Sequence, residues 1–336
     1  MNNSLHNVFE RQKALDLDRY GKYLIHKGLS RPLMLLCETT SYCNNNCIIC
    51  ANSIMTREKA VMPMDTFRLV LDSYSEMGGG RLSLTPVVGD IFMDPFLPDR
   101  LDLIAEYKQK GISTLSVTTN AVMAGKYSER ELRRIVNCFG RIFISIYGLD
   151  ADEYKAMTRR DTFYDMMESV RTILRLIDDV EKIGFGFRLL REFNDGDLES
   201  WTMRNFGVKI TYQAMNTYAN WGKLDTRQRL PQAAKWLPDV DNTVQCFIPL
   251  FAMQVFSNGG VAFCPCDDFN SDEDLLLGNI RNNSLLEIYN TERVKKLWDF
   301  ESHIPSFCRR CSFHRPVSQL VEYPWIFDRP LDYIGG

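Results

Sequence analysis

The sequence lacks any apolar run long enough to cross a lipid bilayer. Its longest apolar stretches, 33–37 and 247–253, fall far short of the ~20 residues that a membrane-spanning helix needs. It also lacks an excess of either charge, because 40 Lys and Arg against 43 Asp and Glu leave a net charge of −3. Nothing in that balance calls for nucleic acid or a membrane surface as a partner. The polar segment 1–19 does not have the pattern of a secretory signal, so we expect a cytoplasmic protein.

Cysteine, in contrast, is present in a distinctive pattern. A chain without an export signal keeps its thiols reduced, so clustered cysteines in it indicate metal ligands or catalytic groups. Among the ten cysteines, one group lies within eight residues, and the others that cluster lie near the C-terminus. The first group is Cys43, Cys47 and Cys50, and the later ones are Cys246, Cys264 with Cys266, and Cys308 with Cys311. Cys37 and Cys138 lie in apolar stretches, where a cysteine is usually a small buried hydrophobic residue.

Hydrophobic patterning predicts six strands alternating with helices. The expected strands are 33–40, 81–88, 113–119, 141–147, 182–190 and 208–215. The expected helices are 64–77, 101–110, 128–138, 162–177 and 197–205. Such alternation implies a parallel sheet with crossover helices, and six units fall short of the eight in a closed barrel. We therefore expect an α/β fold, a partial (β/α)6 barrel with its functional residues at the carboxyl ends of the strands.

The alternation stops after Gly222, and the rest of the chain predicts a smaller unit. Short apolar segments flank a Ser-Asn-Gly-Gly sequence at 257–260, which is typical of a β-hairpin, and a helix is expected at 284–300. The expected organisation is a lead-in at 1–32, a core at 33–222 and a linker at 223–245. A C-terminal hairpin-and-helix domain at 246–320 and a tail at 321–336 complete it.

Three cysteines on one short loop have a specific chemical meaning. A [4Fe–4S] cluster bound only by protein takes one cysteine for each iron. The set Cys43, Cys47 and Cys50 would leave one iron open to bind a small molecule. The alternatives are buried thiols or a zinc site, for which His26 is the nearest candidate for a fourth ligand.

The Cys43-x3-Cys47-x2-Cys50 spacing after the first strand resembles the radical S-adenosylmethionine (SAM) superfamily over about residues 33–222. The resemblance implies that the open iron binds SAM and that an electron splits it into methionine and a 5′-deoxyadenosyl radical. That radical removes a hydrogen atom from the substrate, while the protein supplies position and excludes water. A low-potential electron donor such as flavodoxin or ferredoxin is implied as a partner. Ile49 departs from the family pattern, which often has an aromatic residue before the last cysteine.

The resemblance also suggests residues that hold SAM. Gly89 and Asp90 occupy the place of the glycine-rich acidic segment after the second strand, and are expected at the SAM ammonium group. Asn120 ends the third strand, Ser145 lies in the fourth, and Arg188 in the fifth. These are expected near the ribose and carboxylate, since Arg binds carboxylates in a bidentate manner. For each residue the alternative is a strand-end side chain that satisfies local backbone groups.

The C-terminal cysteines resemble the shortened SPASM-like domain called twitch, seen in the aminocyclitol dehydrogenase of butirosin biosynthesis. This implies a second [4Fe–4S] cluster, held by Cys246, Cys264, Cys308 and Cys311. Cys266 competes with Cys264, which we prefer because it follows Gly259 at the Gly-x4-Cys spacing. A structural zinc ribbon is the alternative for this site.

These features predict an enzyme that takes hydrogen from a small polar substrate, suspected to be a sugar or an aminocyclitol. Oxidation of a carbinol by a radical SAM oxidoreductase is favoured, and epimerisation with Cys266 as the hydrogen donor comes second. Peptide modification and a non-catalytic zinc-binding regulator are further alternatives. The polar and aromatic residues after the sixth strand are candidates for contact with the substrate: Asn216, Tyr218, Asn220 and Trp221.

Overall fold

The computed structural model describes residues 32, 34–219, 234–237, 240–243, 246, 248–250, 252–266, 268–297 and 304–315. Its centre is six strands in chain order: β1 (Met34–Cys37), β2 (Gly80–Ser83), β3 (Ile112–Thr119), β4 (Arg141–Ile146), β5 (Ile183–Arg188) and β6 (Thr211–Met215). The helices between them are α1 (Met64–Glu76), α2 (Leu97–Tyr107), α3 (Glu129–Cys138), α4 (Ala151–Thr158), α5 (Phe163–Leu176) and α6 (Asp195–Phe206). Each strand pairs in parallel with the next, which confirms the expected α/β fold.

The C-terminal strands extend this sheet at its β1 edge. They are β9 (Ala252–Val255), β10 (Gly260–Ala262) and β11 (Leu276–Asn279), and the order across the sheet is β11-β10-β9-β1-β2-β3-β4-β5-β6. β9 runs parallel to β1, with Met34 opposite Ala252 and Cys37 opposite Val255. An unpaired edge leaves backbone groups without partners, and β9 satisfies those of β1. The predicted C-terminal domain therefore shares a sheet with the core. Two short strands, β7 (Thr217–Tyr218) and β8 (Lys235–Trp236), form a separate parallel pair.

Packing against the sheet explains the helices. α5 buries Phe163, Met166, Val170 and Ile173 on one face, which is the three-and-four spacing of an amphipathic helix. α3 begins with the predicted capping box, in which Ser128 and Glu131 satisfy each other's backbone amides. None of the helices in the described ranges is both long and apolar enough to cross a membrane.

Some predicted boundaries were wrong for identifiable reasons. β2 ends at Ser83, before the expected 88, because the chain turns into a loop that brings Gly89 against the end of β1. α4 was not predicted, since its buried residues include Glu153 and Thr158 beside two apolar side chains. The expected helix 284–300 is α7 (Leu285–Tyr289) and α8 (Glu292–Leu297) in its described part. The last described helix is α9 (Ser306–Arg310), at the Cys308-x2-Cys311 sequence.

Candidate active site and second cysteine site

The loop after β1 carries the first three cysteines and is fastened to the end of α4. The amide of Asn46 donates to the Thr158 carbonyl over 3.0 Å, and that of Ile48 donates to the Met157 carbonyl over 2.8 Å. Cys50 then caps a short 3₁₀ turn, Ala51–Ser53, because its sulfur accepts a hydrogen bond from a backbone amide of that turn. This bonding fixes the loop at the carboxyl end of the sheet, where the sequence predicted it.

The three thiols of this loop influence one another. Burial is the main cause that raises the pKa of Cys43 to about 12, and the nearby Asp90 carboxylate and Cys50 act in the same direction. Burial raises the pKa of Cys47 well above its usual value, with Cys50 and Cys43 acting in the same direction. The Arg188 charge and a hydrogen bond with Tyr147 lower the Cys47 pKa. Thiols so close together in a buried site suit a cationic group that stabilises their thiolates.

The spacing of the side chains distinguishes the kinds of group that fit. In the described part of the chain, no three His, Cys, Asp or Glu side chains converge closely enough to hold a single metal ion. A lone zinc ion would draw its sulfur ligands to about 2.3 Å from the metal. His26, the suggested fourth zinc ligand, lies outside the described residues.

Asp90 connects the end of β3 to the cysteine loop. Asp90 is 2% exposed. Its carboxylate accepts hydrogen bonds from the Thr119 hydroxyl over 2.8 Å and from the backbone amide of Asn120 over 2.7 Å. The Asn120 side-chain amide donates to Asn44 over 3.0 Å and lies 3.7 Å from the Cys43 sulfur. Burial raises the pKa of Asp90, and these hydrogen bonds oppose the increase. Asp90 thus holds Asn120 beside the loop, whereas the sequence suggested that it faces the SAM ammonium group.

Gly89 allows the loop after β2 to approach the cysteine loop. Its φ of +146° is in a region that side chains rarely adopt, and a Cβ would lie 2.5 Å from the Thr40 carbonyl oxygen. The amide of the following residue, Asp90, donates to the Tyr42 carbonyl over 2.9 Å. The glycine is needed for this close contact, which brings the loop after β2 next to the start of the cysteine loop.

Arg188 and Ser145 lie on neighbouring strands at the same site. Arg188 donates to the Ser145 hydroxyl over 3.3 Å, and the positive charge of Arg188 lowers the pKa of both Cys47 and Cys50. The structure therefore brings Ser145, Arg188 and Asn120 to the cysteine loop. Tyr147, which follows β4, is a neighbour to which the sequence analysis gave no role. Its position at a strand end was the available signal, but aromatic residues at such positions are commonly core residues.

The suggested substrate-facing residues have local partners. The Asn216 side-chain amide donates to the Arg191 carbonyl and to the Glu192 carboxylate. Tyr218 is buried, and its hydroxyl donates to the Leu189 carbonyl over 2.7 Å. These contacts fasten the segment after β6. Asn220 and Trp221 lie outside the described residues.

The five C-terminal cysteines line one cavity that is partly open to solvent. Apart from His314, the rest of the lining is apolar, and the full set is Cys246, Ile248, Pro249, Phe263, Cys264, Cys266, Phe307, Cys308, Cys311, Phe313 and His314. Burial raises the pKa of Cys308 well above its usual value, and the neighbouring Cys264 and Cys246 raise it further. The cavity brings together cysteines that are far apart in the sequence, as the second predicted site requires.

Cys264 and Cys266 have different surroundings within this cavity. Cys264 packs in an apolar cluster with Cys308 and Cys311, whereas Cys266, like Cys246, packs against the main core. The amide of Cys266 donates to the Cys264 sulfur over 3.4 Å. Asn242, which the sequence analysis placed in a linker, donates its side-chain amide to the carbonyls of Cys308 and Cys311 over 2.7 and 3.0 Å.

A partial α/β barrel with three cysteines after its first strand, joined to a second cysteine cavity, defines a class of iron–sulfur enzymes. Residues 37–201 match the family model of the radical SAM superfamily, and residues 246–312 match SPASM, an iron–sulfur cluster-binding domain. The chain belongs to the radical SAM superfamily and carries a SPASM domain. Its cofactors are accordingly two [4Fe–4S] clusters and SAM.

Similar solved structures contain different bound molecules. A crystal structure of BtrN in complex with AdoMet and 2-DOIA matches with a TM-score of 0.55 and 18% identity, covering 84% of this chain and 93% of BtrN. A crystal structure of Streptococcus suis SuiB bound to precursor peptide SuiA matches with a TM-score of 0.58 and 14% identity, covering 90% of this chain and 73% of SuiB. At such identities the likeness establishes the fold alone.

A curated relative is also similar in sequence. It is named "Probable GTP 3',8-cyclase", from Methanothermobacter thermautotrophicus, and is 24% identical over 182 residues. The match covers 52% of this chain and 54% of the relative, so the chain spans about half the length of this protein.

Proposed function

We propose that this enzyme oxidises a carbinol carbon of a small polar substrate, a sugar or an aminocyclitol. The observation that carries the proposal is the second cavity, in which Cys246, Cys264, Cys308 and Cys311 can bind every iron of a cluster. When bound, SAM and the first cluster supply a hydrogen-abstracting radical, and a closed second cluster can accept the electron left on the substrate. The hydroxyl proton leaves to a base, so two electrons and two protons leave the carbinol.

The roles of the residues follow from their positions. We assign Cys43, Cys47 and Cys50 to the first cluster, because their thiols are buried together. The Arg188 guanidinium, oriented by Ser145, is assigned to the SAM carboxylate. We assign Asn120 and the backbone at Gly89 to hydrogen bonds with SAM, and Asp90 to the positioning of Asn120, whose backbone amide donates to it.

Ligation of the second cluster by Cys264 is supported by its packing with Cys308 and Cys311. Cys266 then remains a thiol at the edge of the same cavity. That observation favours a second candidate, an epimerase, in which Cys266 would return a hydrogen atom to the opposite face of the substrate radical. We propose that 33–222 and 246–320 are distinct in sequence family and in the cluster that each binds. They are not separate structural units, because β9 and β1 share a sheet.

The similarity to BtrN, the butirosin radical SAM dehydrogenase, agrees with oxidation, but SuiB shares the same fold. Turnover of candidate sugars and aminocyclitols in deuterium oxide, with mass analysis of the product, tests the proposal. Oxidation gives a product that lacks two hydrogens and carries no deuterium on the reacting carbon.

An isomer with one deuterium, whose formation is lost in Cys266→Ala, would establish the epimerase instead. Cys138→Ala is the matched control, because Cys138 lies on α3, outside both cysteine sites. If the enzyme turned over a peptide and none of the sugars or aminocyclitols, both the dehydrogenase and the epimerase proposals would be contradicted.

A further inference from the structure

Arg57 lies buried between the first cysteine loop and the C-terminal strands. Its guanidinium forms an ion pair with Glu38 at 2.8 Å, and the two side chains are 4% and 0% exposed. It also donates to the Ser257 hydroxyl and to the Phe269 carbonyl, each over 3.3 Å, and lies 4.5 Å above the centre of the Phe256 ring. One side chain therefore joins three segments that are distant in sequence.

The backbone around Arg57 has a second link to the same region. The Asn270 side-chain oxygen accepts from the amide of Thr56 over 2.8 Å and from that of Arg57 over 3.3 Å. Glu38, which follows β1, accepts from both the amide and the hydroxyl of Ser257, over 3.2 and 2.8 Å. A buried ion pair in this setting is sensitive to the loss of either partner, because an unpaired charge would remain.

Phe269 completes the connection by packing. It is 1% exposed and forms a small apolar cluster with Ala51 and Val88, against which Cys50 packs. A few residues earlier, Cys264 and Cys266 line the second cavity. Cys264 and Cys266 thus lie at the second cavity, and Phe269 packs beside the first cysteine loop only a few residues later in the sequence.

We propose that the contacts among Glu38, Arg57 and Phe269 couple the two cysteine sites, so that each holds its cluster more tightly when the other is filled. This inference rests on the proposed function, in that the two cysteine sets hold iron. Ligation of Cys264 restrains the position of Phe269, which follows it closely in the sequence, and Arg57 and Phe269 then restrict the loop that carries Cys43, Cys47 and Cys50. Coupling between two binding sites is reciprocal, and values of 5–150-fold are typical.

The test is a double-mutant cycle on the anaerobic holoenzyme, comparing Arg57→Gln, Cys308→Ala/Cys311→Ala and their combination. The readout is the rate at which a chelator removes the first cluster, followed by the part of the electron paramagnetic resonance signal that SAM perturbs. We expect either change to speed removal about fivefold or more, and the combination to be no faster than the faster of the two. Multiplied effects in the combination, or no effect of the second-site change, would overturn the coupling.

Hydrogen exchange gives a readout independent of the clusters' chemistry. Exchange of the 43–53 amides should increase in Cys308→Ala/Cys311→Ala, and should increase no further when Arg57→Gln is added. Arg281→Gln is the matched control, because Arg281 donates to Thr66 of α1 over 3.1 Å, across the same two regions but away from the cysteine loop. It should leave both readouts unchanged, and a change equal to that of Arg57→Gln would overturn the proposal.

Asn270→Ala keeps the test usable should Arg57→Gln not fold, because it removes the acceptor for the Thr56 and Arg57 amides and retains the ion pair. It should speed removal of the first cluster in the wild-type background and not in the second-site variant. An equal effect in both backgrounds would contradict the coupling. Failure of the proposed function looks different: full iron content in Cys308→Ala/Cys311→Ala would show that the second site holds no cluster.

Discussion

The Arg188 guanidinium on β5 donates to the Ser145 hydroxyl on β4 over 3.3 Å, beside a group of buried thiols. This hydrogen bond fixes a positive charge at the carboxyl end of the sheet, in reach of Cys47 and Cys50. A fixed guanidinium can bind a carboxylate with little further loss of side-chain freedom.

We therefore predict that Arg188→Ala weakens SAM binding at least tenfold, since the loss of a charge-assisted contact costs about 1.5–3 kcal/mol. Arg188→Lys should recover only part of the affinity, because Lys lacks the planar pair of donors. Equilibrium dialysis with the reconstituted enzyme measures the effect. Arg175→Ala on α5, which breaks an exposed ion pair with Glu129, is the control. Equal affinities for Arg188→Ala and the control would remove Arg188 from the SAM site.

The second prediction concerns the first cysteine loop. Replacing Cys43, Cys47 and Cys50 together by Ala should remove about four irons per chain and abolish formation of 5′-deoxyadenosine. Iron determination and chromatography of the products measure the two effects. Cys138→Ala should retain both iron and product formation. Continued SAM cleavage by the triple variant would be incompatible with the assigned cluster.

The third prediction concerns Asn242, whose amide donates to two carbonyls of the Cys308-x2-Cys311 segment. Asn242→Ala leaves these carbonyls without that donor, and we expect a loss of about 1–3 kcal/mol in the free energy of unfolding. The second cluster should also be lost to a chelator sooner than in the wild type. Thermal unfolding and iron release measure the two effects. Asn282→Ala, at an exposed position after β11, should change neither.

The fourth prediction is a dependence on pH that arises from Cys37, a thiol outside both cysteine sites. Burial raises the pKa of Cys37 to about 12 from the ordinary value of 9.0. Above pH 9 the unfolded chain therefore loses this proton while the folded protein keeps it, so stability falls as pH rises from 9 towards 12. At pH 10 the loss is about 1.4 kcal/mol, which corresponds to one pKa unit.

Unfolding by urea at pH 7 and pH 10, in wild type and Cys37→Ala, isolates this contribution. The other thiols are common to both proteins, so their effects cancel in the difference. The variant has a cavity, whose cost is independent of pH. We expect wild type to lose more stability than Cys37→Ala between the two pH values. An identical loss in both proteins would contradict the buried-thiol explanation.

The sequence was sufficient to predict the order of the six core strands, because apolar segments of this kind alternate with amphipathic helices of ordinary length. The grouping of the first three cysteines could also be predicted from the sequence, since all three lie on one loop, and their role as cluster ligands stays a prediction. The contacts of Arg57 could not be predicted, because the C-terminal strands bring Ser257 and Phe269 to it only in the folded sheet, where it also pairs with Glu38. Asp90 shows a second limit: its hydrogen bonds with Thr119 and Asn120 could not be foreseen from the sequence, and its contact with SAM stays a prediction. The partners of these side chains depend on tertiary contacts, which local sequence patterns do not predict.

The pairing of β9 with β1 also has a consequence for synthesis of the chain. Met34 lies opposite Ala252, so β1 is synthesised long before its partner strand β9. At about 5–20 residues per second, the ribosome reaches β9 roughly 10–40 s later. During that interval the β1 edge is an exposed template for pairing with other chains. The nascent protein therefore passes through a stage in which its first cysteine loop has been made but the strand that covers its edge has not. Production in cells should depend on chaperones and on slow expression at reduced temperature.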